Sequence, residues 1–316
     1  MWKYILKRIF WLVVVLFAAG ALIFTIMYFI PGDPAEMLIG DNATAEQIQA
    51  LRDKMGLNDP YIVRLGRFLF DTFFKFDLGT SYQFKVPVAD ELFTRIPRTL
   101  TLGSLMIILG AIVGIPLGIL AAINQNKWQD NASMVIAMLG VSVPSFWLAL
   151  LLILLFAQTL NWLPSFGIGS WKNYVLPVLA GSIRGIAMLA RQTRSSMLEV
   201  IRSDYTVTAR AKGVREKNVV LKHMLPNALI PVITVLGASF GYSIAGTVIL
   251  ETVFSLPGVG LYLMAGIGHR DYPIVQGCVV FLAAFAAITM LIVDLIYAAV
   301  DPRIKARYVS GKKVSK

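Results

Sequence analysis

Apolar runs alternate with short polar segments along most of the chain. A transmembrane helix needs about 20 mostly apolar residues, and the pattern predicts six such spans. Their bounds are Ile9–Ile30, Leu100–Ile123, Ala132–Leu160, Tyr174–Met197, Ala228–Leu250 and Ile274–Val300. The first run follows a basic start, as in a signal peptide, but it is longer than a signal's apolar region, so we expect it to be retained. The chain is thus predicted to be an all-α integral membrane protein.

Basic residues are concentrated in alternate segments between the spans. With the amino terminus inside, the two short outer loops hold one basic residue each, Lys172 and Arg270. Cytoplasmic loops carry an excess of Lys and Arg, so both termini are predicted to lie in the cytoplasm. We therefore divide the chain into a first transmembrane helix (1–30), an extracytoplasmic segment (31–98), a transmembrane core (99–300) and a basic cytoplasmic tail (301–316).

The extracytoplasmic segment holds two stretches whose apolar residues recur every three or four positions, the spacing of one helix face. The first opens at Thr44-Ala45-Glu46-Gln47 and ends at Gly56, with Ile48, Leu51 and Met55 on its face; the second, Tyr61 to Phe76, carries Ile62, Leu65, Leu69 and Phe73. Together they predict a small helical subdomain. It serves either as a lid on the membrane surface or as a docking platform for a soluble partner, and the pattern favours neither.

Composition agrees with the membrane class and excludes several others. The chain is 57% hydrophobic and only 15% charged, where a soluble domain carries about 25% charged residues. The net charge of +11 lies in loops that would face anionic lipid, so we expect no nucleic-acid partner. Cys278 lies in an apolar run and is assigned to packing. His223 and His269 stand far apart, and we expect neither a metal site nor a catalytic site.

The segment Glu199–Leu225, between the fourth and fifth spans, is the most informative one. Its periodicity predicts a short helix from Asp204 to Lys212, capped by Asp204 and stopped by Gly213. A second helical piece, Glu216 to Met224, leads to Pro226, which can begin the next span. A short basic helix of this kind either rests on anionic lipid or docks as a lever on a cytoplasmic protein.

The sequence of this segment resembles the conserved cytoplasmic loop of ABC importer permeases. The residues are Thr208-Ala209-Arg210-Ala211-Lys212-Gly213, followed by Leu225-Pro226. The loop pattern is Glu-Ala-Ala, three residues, Gly, nine residues, Ile, any residue, Leu-Pro. Aligned on Gly213, the Gly, the last Ala and the Leu-Pro match, whereas Val207 stands where the pattern has Glu. Thr-Ala-Arg-Ala-Lys-Gly is the form found in the oligopeptide/dipeptide permease family, which includes nickel importers.

Further marks of that family occur in order along the chain. They are Pro31-Gly32-Asp33-Pro34, Pro144-Ser145-Phe146, Leu256-Pro257-Gly258-Val259-Gly260, Arg270-Asp271-Tyr272-Pro273, Asp294-Leu295-Ile296-Tyr297 and Asp301-Pro302-Arg303. The resemblance, which covers essentially the whole chain, implies a B-type permease subunit with the type I importer (MetI-like) fold, forming half of a path for di- or oligopeptides. A permease for nickel or another small solute stays open as an alternative, as does, in a different class, a membrane scaffold or receptor.

The resemblance also implies partners and a docking site. The partners are a second, related permease, two ATPase subunits, an extracytoplasmic solute-binding protein and membrane lipid. The ATPase would bind a coupling loop comprising Tyr205, Thr208, Ala209, Arg210, Ala211, Lys212, Gly213, Leu225 and Pro226. ATP and Mg are expected in the ATPase subunits and no cofactor in this chain, because no Gly-x-x-x-x-Gly-Lys-Ser/Thr loop occurs in it.

Polar and ionisable residues within the spans give the remaining candidates. In related importers the fifth span lines the path, so its polar stripe of Ser239, Tyr242, Ser243 and Thr247 is the candidate lining. Arg184, Glu251 and Asp294 lie within or at the edge of spans, where charges are costly and usually face the bundle interior. Arg184 is expected either to pair with Asp294 or a carbonyl, or to line the path.

Overall fold

The computed structural model describes residues 2–39 and 43–300, and within them the regular structure is helical apart from one isolated β-bridge between Thr80 and Pro87. The helices are α1 (Trp2–Phe29), α2 (Pro34–Ile39), α3 (Ala45–Met55), α4 (Tyr61–Phe74), α5 (Val88–Ile123), α6 (Trp128–Ser142), α7 (Ser145–Leu152), α8 (Val175–Ile201), α9 (Asp204–Ala211), α10 (Glu216–Asn218), α11 (Leu225–Val253), α12 (Val259–Gly268) and α13 (Tyr272–Val300). Turns of π-helix extend α7 (Ile153–Thr159) and join α10 to α11 (Val219–Met224), and a 3₁₀ turn (Trp171–Tyr174) precedes α8. The predicted tail, 301–316, lies outside the described residues.

Five helices are long and apolar enough to cross a membrane, namely α1, α5, α8, α11 and α13. A sixth crossing is made by α6 and α7 if they count as one span, but the two are bent by 97°. The prediction of one continuous helix over Ala132–Leu160 is therefore wrong. Pro144 stands at the break, because it has no amide hydrogen to donate and disfavours helical geometry at Val143 before it.

Helix α5 is much longer than a membrane requires. Its 36 residues rise about 54 Å, whereas the hydrocarbon core is about 30 Å thick. The helix begins at Val88, twelve residues before the predicted start, and its first three turns carry Asp90, Glu91, Arg95 and Arg98. The predicted domain boundary at residue 98 thus falls inside one continuous helix.

Helix α3 has the ends that the sequence predicts. The Thr44 hydroxyl accepts the Gln47 amide while the Gln47 side chain accepts the Thr44 amide, a complete capping box. Gly56 closes the helix with a φ of 65°, and its amide donates to the carbonyls of Arg52 and Asp53.

Helix α4 packs antiparallel along the last half of α1. Tyr61 meets Tyr28 at a ring separation of 5.1 Å, and Phe73 stacks on Phe17 at 4.5 Å. Ile62, expected on the apolar face, is instead 72% exposed, because the buried face is centred on Leu65, Phe68 and Thr72. We call the end of the molecule that holds α2–α4 the long-segment end.

Asp271 joins the long segment to the α12–α13 connection. Its fully buried carboxylate accepts the Ser81 hydroxyl at 2.6 Å and the Gln83 amide at 2.9 Å. Burial and the nearby Asp271 carboxylate raise the pKa of Tyr82, between those two donors, to about 12. Tyr82 thus stays neutral at physiological pH.

Close contact between α5 and α8 forms the centre of the bundle. A Cβ placed on Gly114 would lie 2.6 Å from the Ile186 carbonyl oxygen, and one on Gly118 would lie 2.5 Å from that of Ala190. A side chain at either position would hold the two backbones apart. These glycines therefore let the helices meet closely, as small residues do in membrane bundles.

Candidate functional site

Helix α9 is fixed to the end of α8 by a pair of hydroxyl groups. Ser203, in extended conformation, stands at the cap position that the sequence assigned to Asp204. Its hydroxyl donates to the Val200 carbonyl at 2.6 Å, and the fully buried Thr206 hydroxyl donates to the same oxygen at 2.9 Å. A buried hydroxyl bonded in this way holds the start of α9 against the last turn of α8.

The inward face of α9 rests on the ends of three spans. Ala209 is buried in a cluster with Met197 of α8, Ala122 of α5 and Met224 before α11. A larger side chain at Ala209 would push α9 away from these ends. This contact gives a physical reason for the alanine in the sequence pattern.

Gly213 ends the helix in a conformation that favours glycine. Its φ is +75°, and its amide donates to the Arg210 carbonyl at 2.9 Å. No atom lies within 4 Å of a Cβ built there. The left-handed backbone, and not a lack of space, therefore calls for glycine at this position.

The outward face of α9 and the following turn carries exposed apolar and basic side chains. Val207 is 55% exposed, and Tyr205 and Leu221 are also open. The other exposed residues of this surface are Thr208, Arg210, Ala211, Lys212 and Gly213. We call this set, with Tyr205, Val207 and Leu221, the α9 surface, and the end of the molecule that bears it the α9 end. Leu225 is half-buried and Pro226 exposed at the start of α11.

Arg210 has a partner across the turn at Gly213. Its Nη2 lies 2.6 Å from Glu216 Oε1 and its Nε lies 3.1 Å from Oε2, a bidentate contact. Hydrogen bonding to this carboxylate raises the pKa of Arg210. Both side chains are exposed, so the pair contributes only about 0.2–1 kcal/mol of stability. It orients the guanidinium more than it holds the loop together.

An ion pair that sequence reasoning missed involves Arg194, about two turns before the end of α8 at Ile201. Asp130 in α6 accepts Arg194 of α8 at 2.5 Å and 2.7 Å, and also accepts the Asn126 amide at 3.0 Å. Asp130 is buried while Arg194 is partly open. Nothing in the local pattern indicates that these residues meet, because they lie 64 positions apart.

Glu251, predicted to be an intramembrane charge facing the interior, caps a helix. Its carboxylate accepts the Thr99 hydroxyl at 2.7 Å and the amides of Gly260 and Leu261 at 2.7 Å and 3.1 Å. The two amides belong to the first turn of α12, where a carboxylate is favourable. A Cβ on Gly258 would collide with this carboxylate. The Leu-Pro-Gly-Val-Gly sequence is the signal that could have predicted such a site.

Asp294 pairs with a residue of the first helix. The Arg8 guanidinium lies 2.7 Å from Asp294 Oδ2, so the expected pairing of Asp294 with Arg184 is wrong. Arg184 is exposed on α8. Within the residues that the structure describes, it makes neither a hydrogen bond nor an ion pair.

The four candidate path residues of α11 do not share one surface. Tyr242 is 75% exposed and lines a groove of about 380 Å³ between α1, α11 and α13. Ser239 and Ser243 are half-buried and donate to carbonyls of their own helix, and Ser239 also approaches Met188 Sδ at 4.0 Å. Thr247 is fully buried and donates to the Ile244 carbonyl. The four polar residues thus range from an exposed side of α11, at Tyr242, to a buried side, at Thr247.

Candidate metal ligands do not gather in the described part of the chain. Groups of three or more His, Cys, Asp or Glu side chains that could hold an ion are absent there. Cys278 is buried, in agreement with its assignment to packing.

Apolar helices long enough to cross a membrane, joined at one end by a helix seated on three of them, define an integral membrane protein. The chain belongs to the family of binding-protein-dependent transport system inner membrane components, whose match covers residues 114–306. Residues 1–103 match the N-terminal family of the same membrane components. The chain is therefore a multi-pass inner-membrane permease of an ABC importer, as the sequence resemblance predicted.

Two similar proteins span nearly the same length as this chain. The glutathione transport system permease protein GsiC of Escherichia coli O6:H1 is 40% identical over 305 residues, covering 96% of this chain and 99% of its own. The dipeptide transport system permease protein DppB of Alkalihalophilus pseudofirmus is 39% identical over an alignment of 333 residues, covering 96% of this chain and 100% of its own.

Solved structures support the fold. An inward-facing structure of the MetNI methionine ABC transporter superposes with a TM-score of 0.57 at 18% identity, covering 67% of this chain and 97% of that one. An amino acid ABC transporter, solved with histidines, gives a TM-score of 0.51 at 14% identity, covering 68% and 94%. The predicted MetI-like, type I importer fold is thereby confirmed.

Proposed function

We propose that this chain is the peptide-conducting permease of an ATP-driven importer, and that its α9 surface docks on a cytoplasmic ATPase subunit. The observation that carries the docking proposal is the seating of α9. Its buried face rests on the ends of α5, α8 and α11. The opposite face therefore points away from the spans, and so away from lipid, towards a soluble partner. An interfacial helix would instead turn its apolar side to the bilayer.

The cargo is inferred from the two full-length relatives. One is named for glutathione and the other for dipeptides, and both of these solutes are short peptides. At about 40% identity over the whole chain, a peptide cargo is the simplest shared property. We infer the same class here and leave the length and side chains of the peptide to its binding protein.

The proposed assembly contains a second, related permease and two ATPase subunits, which bind ATP and Mg. The α9 end and both termini face the cytoplasm in this arrangement, in accord with the basic residues near that end. A solute-binding protein docks at the long-segment end, where α4 leaves apolar side chains such as Ile62 and Phe70 exposed. In this assembly, closure of the ATPase pair moves α9 and, with it, the spans on which it rests.

Substitution of Gly213 tests the lever. Gly213→Val places a β-branched residue in the left-handed conformation, which costs roughly 1–2 kcal/mol for a residue with a Cβ. Gly213→Asn is the matched control, because Asn tolerates this conformation. A Cβ at this position meets no described atom within 4 Å, so both variants begin without a clash at the Cβ. Peptide uptake and ATP hydrolysis are measured in proteoliposomes that contain the whole complex.

We expect Gly213→Val to lower uptake per ATP hydrolysed several-fold, while Gly213→Asn stays near the wild-type ratio. Both variants should insert in the membrane and purify with their partners. Coupled transport by Gly213→Val at the wild-type ratio would refute the role of the α9 surface as a lever. Absence of any peptide uptake by the wild-type complex would refute the proposed cargo.

A further inference from the structure

One face of α8 carries a row of exposed side chains along most of its length. They are Arg184, Met188, Arg191, Ser195 and Glu199, spaced three or four positions apart and hence on one side of the helix. The row runs from deep in the span to the α9 end. Met188, in its middle, lies 4.0 Å from the Ser239 hydroxyl of α11, which places the row beside the helix that holds the candidate path residues.

Arg184 is the deepest charge of this row. It lies nine residues from the start of α8 at Val175 and ten residues before Arg194, about 14 Å and 15 Å along the helix. Arg194 is satisfied by Asp130. In the described part of the chain, Arg184 has no such partner, although an unpaired arginine at the centre of a hydrocarbon layer is strongly unfavourable.

The exposed surfaces of neighbouring spans have a different character. The open side of α6 presents Val135, Ile136 and Leu139, as a helix that contacts lipid should. The contrast indicates that the α8 face does not contact lipid. A row whose charged side chains have no partner among the described residues faces water or a protein cavity, and in a permease the water-filled cavity is the translocation path.

We propose that Arg184 lines this path and binds the carboxylate of the peptide as it passes, an inference that rests on the proposed peptide cargo. A guanidinium binds a carboxylate through two parallel hydrogen bonds. Every peptide with a free carboxyl terminus offers that group whatever its side chains are. One arginine can therefore bind any peptide with a free carboxyl terminus, whatever the sequence of that peptide.

Two neighbours of Arg184 on the same face of α8, Arg191 and Met188, can also contact the passing peptide. Arg191 lies seven residues, about 10 Å, further towards the α9 end, where it offers the carboxylate a second position during inward movement. Met188 lies between them, and its flexible side chain adapts to differing peptide side chains. Water around these exposed groups keeps each contact weak, so the peptide can leave again.

The first experiment compares a dipeptide with its carboxyl-terminal amide in the reconstituted importer, using a pair that titration shows the binding protein to hold. Each is supplied at a concentration that saturates the binding protein. Arg184→Gln should lower uptake of the free acid about tenfold and leave uptake of the amide nearly unchanged. Arg184→Lys should retain most of the preference for the acid, because its charge remains. Equal losses for both substrates would overturn the proposal and assign Arg184 to packing or to pairing with another subunit.

A second experiment stays informative if Arg184→Gln assembles poorly. Arg184→Cys can be modified selectively, because the native Cys278 is buried. A cationic methanethiosulfonate should restore uptake of the free acid and an anionic one should not. Ile112→Cys, on an apolar exposed part of α5, is the control that water-soluble reagents should not label. Failure of the cationic reagent to restore uptake at a labelled Arg184→Cys would overturn the proposal. A wild-type complex that carries neither acid nor amide would instead refute the peptide cargo.

Discussion

Substitution of Glu251 tests the junction of α5, α11 and α12. One carboxylate oxygen accepts the Thr99 hydroxyl, and the other accepts the amides of Gly260 and Leu261. In Glu251→Gln, the side-chain oxygen can keep both amides, while the new amino group faces Thr99. The Thr99 oxygen already accepts the Val259 amide at 2.9 Å. The hydrogen of the Thr99 hydroxyl is then left without an acceptor.

The size of the effect follows from the number of groups left unpaired. A buried polar group without a partner costs about 1–3 kcal/mol, so Glu251→Gln should lower the free energy of unfolding by that amount. Glu251→Ala leaves three donors, the Thr99 hydroxyl and the amides of Gly260 and Leu261, without an acceptor, and it also opens a void. It should lower the free energy of unfolding by about 4 kcal/mol or more. Thr99→Val keeps the shape but leaves the Val259 amide unpaired, at about 1–3 kcal/mol. Because Glu251 and Thr99 share a hydrogen bond, the double variant should cost less than the sum.

Reversible denaturation in mixed detergent micelles measures these free energies. Glu91→Gln is the control, since Glu91 forms only a partly exposed pair with Arg95 at 2.8 Å on the same helix as Thr99. It should cost about 0.3–0.5 kcal/mol. The reasoning is refuted if Glu251→Gln costs no more than Glu91→Gln, or if Glu251→Gln and Thr99→Val are additive.

Two further substitutions probe the contacts of α8. Gly118→Ala should destabilise the chain by about 1–3 kcal/mol, because its Cβ would press on the Ala190 backbone; Gly110→Ala, whose nearest neighbours lie 3.7 Å away, should be close to neutral in the same denaturation assay. Asp130→Asn should cost about 1–3 kcal/mol, because it removes the charge partner of a guanidinium that is itself partly open to solvent, and a cost below about 1 kcal/mol would show that the pair is not needed.

Local patterns predicted the features that depend on a few neighbouring residues. The capping box of α3 needs only Thr44 and Gln47, and the stop at Gly213 needs one left-handed residue. The spans followed from length and apolarity alone. Where backbone chemistry overrides apolarity, as at Pro144, the same rule failed and joined two helices that bend apart.

Contacts between distant parts of the chain could not be predicted in this way. Asp294 was one of the partners considered for Arg184, because both lie in spans, yet Asp294 pairs with Arg8, near the start of the first helix. Asp130 is a single acid near a loop, and its sequence context does not distinguish it from ordinary surface charge. Such pairs depend on which helices become neighbours, and one sequence carries no periodicity that reports it.

The candidate site also combines features that the sequence predicts with contacts that it does not. The resemblance named most residues of the α9 surface but not Val207 or Leu221, and it included Ala209, which is buried. The residues alone could not decide between a lipid surface and a protein as the partner. That choice depends on which side of α9 is buried. Thr206 and Ala209 are buried, so the exposed residues of α9 point away from the spans, which supports the proposed docking on a protein. The path residues were placed on α11 by resemblance, whereas the open charged row lies on α8.

Helix α8 connects the two proposed activities physically. It runs without interruption from Val175 to Ile201, and its only proline, Pro177, lies in the first turn, where it breaks no hydrogen bond within the helix. At one end it holds α9 through Val200, and deeper in the span it carries Arg184. Because a continuous helix moves as a unit, a displacement of α9 by its partner should also move the carboxylate-binding row. In this scheme the docked lever and the cargo contact need no separate relay between them.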